Sequence, residues 1–268
     1  FIIPGCSLAP EESGHRHSTP SEVLPTASLA SPGLSDEQMV QLAQDDPVSF
    51  LEQVIERYDR RVRGYRARLL KQERIEGKLQ PVEHIDVLFR EKPFSVRLEW
   101  QEGARLAQKI LYVDGANQNH MVVQPAGWRS LAGLVHRLPG DSDARTSSRY
   151  PINEFGIRMG SQRTLMAWKE ASDRGSPVFE YGGIESIPEL DGLVCLIIQR
   201  REDAGLDAEG IAVSRFYFDT RDWLQVGSVL QDQHGETIGR YYFLDLEINP
   251  TFEGKIFSPV GLKDRRKK

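Results

Sequence analysis

Tyr65-Arg66-Ala67-Arg68-Leu69-Leu70-Lys71-Gln72-Glu73-Arg74-Ile75 decides the fold. Tyr65, Ala67, Leu69, Lys71, Glu73 and Ile75 alternate with Arg66, Arg68, Leu70, Gln72 and Arg74, a period of two that puts the first set on one face of a strand. Glu76-Gly77-Lys78 turns the chain, and the alternation resumes. Ile85, Val87 and Phe89 share one face of His84–Arg90; Phe94, Val96, Leu98 and Trp100 do the same beyond the Lys92-Pro93 break. Ala107–Val113 and His120–Gln124 read as two further strands around the turn sequence Asp114-Gly115-Ala116-Asn117. Short strands at this spacing describe an antiparallel meander, since parallel βαβ units need helices between strands.

Two helices precede the meander. Ser35 can cap a short one over Asp36–Gln44. Asp46 caps a second, with Pro47 at its first position and Phe50, Leu51, Val54, Ile55, Tyr58 and Val62 in one stripe, up to Gly64. Pro139–Tyr150 is polar and irregular, and Ser161–Ser172 reads as a helix. Strands return at Val178–Tyr181, Leu193–Gln199, Val213–Asp219, Leu224–Gln231 and Ile238–Ile248. The expected fold is mainly β (α+β): a strongly curved antiparallel sheet, or incomplete barrel, of ten or eleven strands with helices on its concave side.

The first 35 residues differ from the rest. They hold five of the fifteen prolines and seven serines, with no Trp or Tyr, so they bury too little apolar surface to offset ordering entropy. Phe1-Ile2-Ile3 running into Gly5-Cys6 reads as the end of a signal-peptide apolar core. Ile3-Pro4-Gly5-Cys6 resembles a bacterial lipobox, which would make Cys6 a lipidated residue and the Pro/Ser-rich leader a tether; Ser7 behind it favours outer-membrane retention. The sequence thus divides into a leader (1–35), one domain (36–262) and a basic tail (263–268). The net charge of −5 splits into −2 for the leader, +4 for the tail and −7 for the domain. An acidic domain disfavours a nucleic-acid groove, which needs Lys and Arg against phosphates.

Four segments carry a resemblance: Tyr65–Arg74 with its Gly77 turn; Phe89–Trp100; Tyr150-Pro151-Ile152-Asn153-Glu154-Phe155-Gly156-Ile157-Arg158; and Tyr241–Pro250 after the Gly235 turn. Over roughly residues 46–260 the chain resembles a bacterial envelope family of unknown function related to the LolA/LolB-type lipoprotein carriers. The resemblance implies an incomplete barrel whose apolar cavity holds acyl chains, a lipid or acylated polypeptide as ligand, an envelope protein as partner, and a location in the periplasm or at the outer membrane. The residues proposed for the cavity are Phe89, Phe94, Trp100, Leu111, Phe216, Phe218 and Phe243, with Leu165, Met166 and Trp168 on a mid-chain helix acting as a lid. The alternative is that these side chains fill a solid core, making the domain a structural or interaction module.

Signs of catalysis are weak. His15 and His17 lie in the leader, His84 and His120 at strand ends, His136 and His234 in loops, and none has metal-site spacing. No nucleophile elbow or phosphate loop occurs, and no cofactor is expected. Cys195 sits within the apolar run Leu193–Ile198 and reads as a small buried hydrophobe. Arg66, Arg68, Arg74, Arg90 and Arg97 either form a basic stripe for a headgroup or pair across the sheet with Glu73, Glu83, Asp86 and Glu99. The tail reads as a solvated end or a contact with anionic membrane.

Overall fold

The computed structural model describes residues 33–142, 147–175, 177–202, 207 and 209–263. The Cys6 lipobox, the leader histidines and residues 264–268 of the basic tail lie outside the described residues. Helix α1 (Asp36–Asp45) starts at Ser35, whose hydroxyl accepts the Gln38 N–H while the Gln38 side chain accepts the Ser35 N–H, a reciprocal capping box. Helix α2 (Pro47–Arg61) starts at Asp46, which accepts the Ser49 N–H at 3.1 Å.

The chain then builds one antiparallel sheet. Its first run is β1 (Gly64–Ile75), β2 (Lys78–Leu79), β3 (Glu83–Arg90), β4 (Ser95–Glu102), β5 (Ala107–Val113), β6 (Met121–Pro125) and β7 (Val135–Arg137). Helix α3 (Ile157–Arg174) follows, then β8 (Val178–Ile187), β9 (Leu193–Arg201), β10 (Val213–Asp219), β11 (Gln225–Gln231), β12 (Thr237–Ile248) and a short α4 (Pro259–Lys263). The order is β7-β6-β5-β4-β3-β1-β12-β11-β10-β9-β8, with β2 paired to β1 alone. Two meanders therefore join where β12 returns to lie beside β1, and the sheet stays open between β7 and β8. The twelve strands exceed the ten or eleven expected because β2 and β7 have two and three residues, too few for an alternating pattern to register.

The two faces are filled differently. On the inner face, α1, α2 and α3 cover β8–β11 with a dense cluster that includes Phe50, Leu51, Val54, Trp168, Leu196, Ile198 and Phe218. Phe50 meets Phe218 edge-on at 4.9 Å, and Trp168 meets Phe216 at 5.4 Å. Tyr58 of α2 and Ile157 at the start of α3 join Tyr65 of β1 and Phe89 of β3 in a second cluster. On the outer face, α4 and Phe257 cover β5 and β6 through Leu111, Val113, Val122 and Leu262. Gly64 begins β1 where a side chain has no room: a Cβ there would stand 2.6 Å from the Phe89 carbonyl oxygen. No helix among the described residues is long and apolar enough to cross a membrane.

Candidate functional site: a divided hollow on the inner face

Every second residue of β1 faces inward. Tyr65 stacks on Phe89 at 4.8 Å, and its hydroxyl accepts the Ile157 N–H at 3.2 Å. Phe94, Phe155 and Phe243 close around this pair, with Phe89–Phe94 at 5.3 Å and Phe155–Phe243 at 6.2 Å. These rings plug one end of the inner face. Gly156 passes beside them with φ +116°, and a Cβ there would sit 3.0 Å from the Tyr65 hydroxyl, so only glycine takes this path without strain.

From that plug the segment Ser148–Phe155 crosses over β1 as a strap. Arg149 donates its backbone N–H to Glu73 at 3.4 Å, Ile152 is buried in the core, and Tyr150 lies 6.3 Å from Tyr241. The strap divides the inner face into two chambers. One, of about 330 Å³, lies toward α3 and β10–β12 and is lined by Met166, Trp168, Phe216, Leu230, Tyr241 and Phe243. The other, of about 470 Å³, lies toward β3–β6 and is lined by Ile85, Leu98, Trp100, Met121, Val123 and Val135. Leu69 and Lys71 of β1, and Ser148, Tyr150, Pro151 and Phe155 of the strap, border both. Each volume falls in the range of small-molecule sites, roughly 300–1,000 Å³.

A charged ridge runs along the floor between the chambers. Lys71 Nζ lies 2.8 Å from Glu83 Oε2 and 3.2 Å from Glu73 Oε2. Tyr241 donates its hydroxyl to Glu73 Oε1 at 2.8 Å, and Arg105 stands 3.9 Å from Glu83 Oε1. Lys71, Glu73 and Glu83 are all buried. Burial works against the Lys71 charge, but Glu73 and Glu83 outweigh it and hold the ammonium above the ordinary lysine value. Burial, and then the Glu73 charge, raise the Tyr241 phenol well above its usual range, so it stays a donor.

Further ion pairs edge the first chamber. Arg149 meets Glu209 at 2.5 Å, Tyr150 donates to the same carboxylate at 3.2 Å, and the Arg163 guanidinium lies 4.0 Å over the Tyr150 ring. Deeper, Arg200 pairs with Asp207 at 2.9 Å and with Glu202 at 3.1 Å, and Arg174 closes on Glu202. At the second chamber, Trp128 borders the opening and is 80% exposed.

Of the residues proposed from sequence, Trp100, Met166, Trp168, Phe216 and Phe243 line a chamber. Phe89 and Phe94 belong to the aromatic plug, Phe218 is packed under Phe50, and Leu165 packs with the helices. Leu111 needs correction: it faces outward, packed against Leu262 with Val113 and Val122, because α4 gives the outer face of β5 an apolar cover. The lid helix begins at Ile157, four residues before the expected Ser161, and its Trp168 is fully buried against β10, making α3 a wall of the first chamber. The arginine stripe is a largely paired face, with partners on β12, on β4 and in turns. Arg66 meets Glu247 at 3.1 Å, Arg68 meets Asp245 at 2.5 Å and Asp191 at 3.0 Å, and Arg74 meets Glu236 at 3.1 Å. Arg97 meets Glu99 at 3.5 Å, and Arg90 covers Phe257 at 4.7 Å. Glu73 and Glu83 turn inward to the ridge instead. Sequence reasoning did not single out Lys71, Glu73 and Glu83 as a site, although Lys71 and Glu73 share the Tyr65–Leu69 face. Two charges on an otherwise apolar face were the available signal.

Among the described residues no three His, Cys, Asp or Glu side chains are grouped to hold a metal ion, and Cys195 is a free, buried thiol. The four segments that carried the sequence resemblance now form one neighbourhood: β4, β3, β1 and β12 are consecutive in the sheet, and Tyr150–Arg158 is the strap over them with the start of α3.

No curated protein matches the chain significantly. Solved structures similar to it include the Mycobacterium tuberculosis lipoprotein LppX, at 12% identity and TM-score 0.45, covering 78% of this chain and 98% of that one. MucB is similar at 13% identity and TM-score 0.47, covering 82% of this chain and 64% of that one. A LolA superfamily protein from Nitrosomonas europaea is similar at 8% identity and TM-score 0.31, covering 78% and 97%. Likenesses this remote say nothing of what the chain binds. One family model, described as protein of unknown function (DUF1571), matches residues 62–263, the whole sheet with its strap and walls, and the chain belongs to that family.

Proposed function

We propose that this protein binds the alkyl chains of a lipid or an acylated polypeptide in the divided hollow, as a non-enzymatic protein of the cell envelope. The observation that carries the reading is the pair of chambers, about 330 and 470 Å³, held open beneath the strap on a face otherwise built from apolar side chains. An alkyl chain placed there gains roughly 0.8 kcal/mol for each methylene removed from water. The charged groups of the ridge are matched to one another, Lys71 with Glu73 and Glu83, which suits a binding site better than a reactive one. Acylation of Cys6 and the Pro/Ser-rich leader would hold such a domain at a membrane in the periplasm or at the outer membrane, within reach of its ligand and of an envelope protein partner.

A second reading is a structural or interaction module without a small ligand. It is favoured by the inner face over β8–β11, where α1–α3 leave Phe218 and Phe50 fully buried in a solid core. Native mass spectrometry of the full chain purified from its own host separates the two. The binding reading expects a co-purified lipid mass that solvent extraction removes, and a mass increment on Cys6. Protein that carries no lipid, and takes up none when offered fatty acid or diacyl lipid, overturns it.

A further inference from the structure

Resting on the binding reading above, we infer that the ligand is a two-chain ester: one acyl chain lies in each chamber, and an ester carbonyl at their junction accepts a hydrogen bond from Lys71. The division of the hollow supports the two chains. Both chambers border Leu69 and Lys71 of β1 and Tyr150 and Phe155 of the strap, so a ligand with one chain in each has its branch point near Lys71 and the strap.

The ridge specifies the branch point's chemistry. Lys71 has three N–H donors; two go to Glu73 and Glu83, and the third has no acceptor among the described residues. Glu73 already accepts three hydrogen bonds, from Lys71, the Tyr241 hydroxyl and the Arg149 N–H. The ridge therefore offers a donor and asks for an acceptor. Its charge is also balanced, Lys71 and Arg105 against Glu73 and Glu83, so a phosphate or carboxylate over Lys71 would face two carboxylates with no surplus cation. A neutral carbonyl meets the donor without that repulsion. A buried donor without an acceptor is costly, and an ester oxygen of a bound ligand is of the type that would satisfy the third Lys71 N–H.

The test compares ligands first and variants second. The delipidated full chain is titrated with dipalmitoylglycerol, with the matched dihexadecyl glycerol ether, which lacks both carbonyls, and with palmitate. The inference expects the diester to bind at least about ten-fold tighter than the diether, the usual worth of a hydrogen bond to a charged donor, and expects saturation at one diester per protein. Equal affinity for diester and diether, or palmitate binding as tightly as the diester, overturns it. Failure of all three probes to bind overturns the binding reading itself, so the two failures are distinguishable. In the variant Lys71→Met/Glu73→Gln, which removes the donor while leaving Glu83 beside Arg105, the diester preference should vanish with thermal unfolding still cooperative; a retained preference overturns the role of Lys71. A peptide carrying an N-terminal S-diacylglyceryl cysteine distinguishes the sources of the same chemistry. Binding as tight as the free diester identifies an acylated polypeptide, and weaker binding identifies a free lipid; both outcomes support the diester.

Discussion

Lys71 and Glu83 face each other across the β1–β3 pairing, ammonium to carboxylate at 2.8 Å, in the middle of a sheet face whose neighbours are Leu69 and Ile85. A buried charge of this kind is tolerated because its partners are in place, and removing one partner leaves the other stranded. Lys71→Met alone is therefore expected to destabilise the domain by roughly 3–5 kcal/mol, read from urea unfolding. The double variant with Glu73→Gln should recover part of that loss, since Glu83 keeps Arg105 and the new amide oxygen can still accept from Tyr241.

Trp168 and Met166 sit two residues apart on α3 and should behave oppositely. Trp168 is fully buried against Phe179 and Phe216, so Trp168→Ala should cost about 3–5 kcal/mol. Met166 borders the first chamber but is 62% exposed, and Met166→Ala should leave stability within about 0.5 kcal/mol. A change in ligand affinity without a change in unfolding midpoint would place Met166 at the ligand.

Two glycine-to-alanine changes should have opposite signs. At Gly64 a Cβ would press to 2.6 Å from the Phe89 carbonyl oxygen, and Gly64→Ala should cost roughly 1–3 kcal/mol. Gly160 lies inside α3 with open space around it, so Gly160→Ala should stabilise by about 0.5–1 kcal/mol. Melting temperatures measured side by side check both.

Burial, and then the Asp219 charge, push the Cys195 thiol up to about 12, and burial likewise raises the Tyr58 and Tyr65 phenols. The unfolded chain gives up the thiol proton near pH 9 while the folded one keeps it to about 12. The unfolded state thus binds fewer protons in that window, and stability, complete below about pH 9, falls as pH rises through it, by up to about 1.4 kcal/mol per unit for one such group. Urea midpoints should decline steadily from pH 9 to 11. At pH 8, peptide mapping after iodoacetamide should find Cys195 unmodified in the native protein and modified in urea; fast native labelling would contradict its burial.

The alternation in Tyr65–Ile75 and its neighbours was enough to place the sheet, because a period of two needs only side-chain polarity to be seen. What it could not reveal is which face each apolar set meets. In β5, Ile110 and Tyr112 point inward while Leu111 and Val113 point out, and both sets are apolar because α4, at the far end of the chain, covers the outer one. Phe216 and Phe218 share an inward face, yet only Phe216 reaches a chamber, since Phe50 of α2 caps Phe218. Hollow and solid core coexist on one face, divided by where the helices lie, and that is a tertiary property. β8 continues to Ile187 beyond the expected Tyr181, its later residues pairing with β9, and Gly182 lies so close to Ile197 that a Cβ would come within 2.9 Å.

The central claim is that alkyl chains enter the hollow, and the four tryptophans can report it directly. Trp100 and Trp168 line the two chambers, Trp128 is exposed at an opening, and Trp223 is sealed against Phe50 with its indole N–H donated to Asp36 at 2.7 Å. The measurement is tryptophan quenching by a diacyl lipid with brominated chains, on the native chain and on Trp100→Phe, Trp128→Phe and Trp223→Phe. The account predicts saturable quenching that is reduced in Trp100→Phe, persists in Trp128→Phe and is proportionally greater in Trp223→Phe. Quenching that disappears only with Trp128, or does not occur, would mean that lipid touches the surface or nothing at all, and would contradict a lipid-filled hollow.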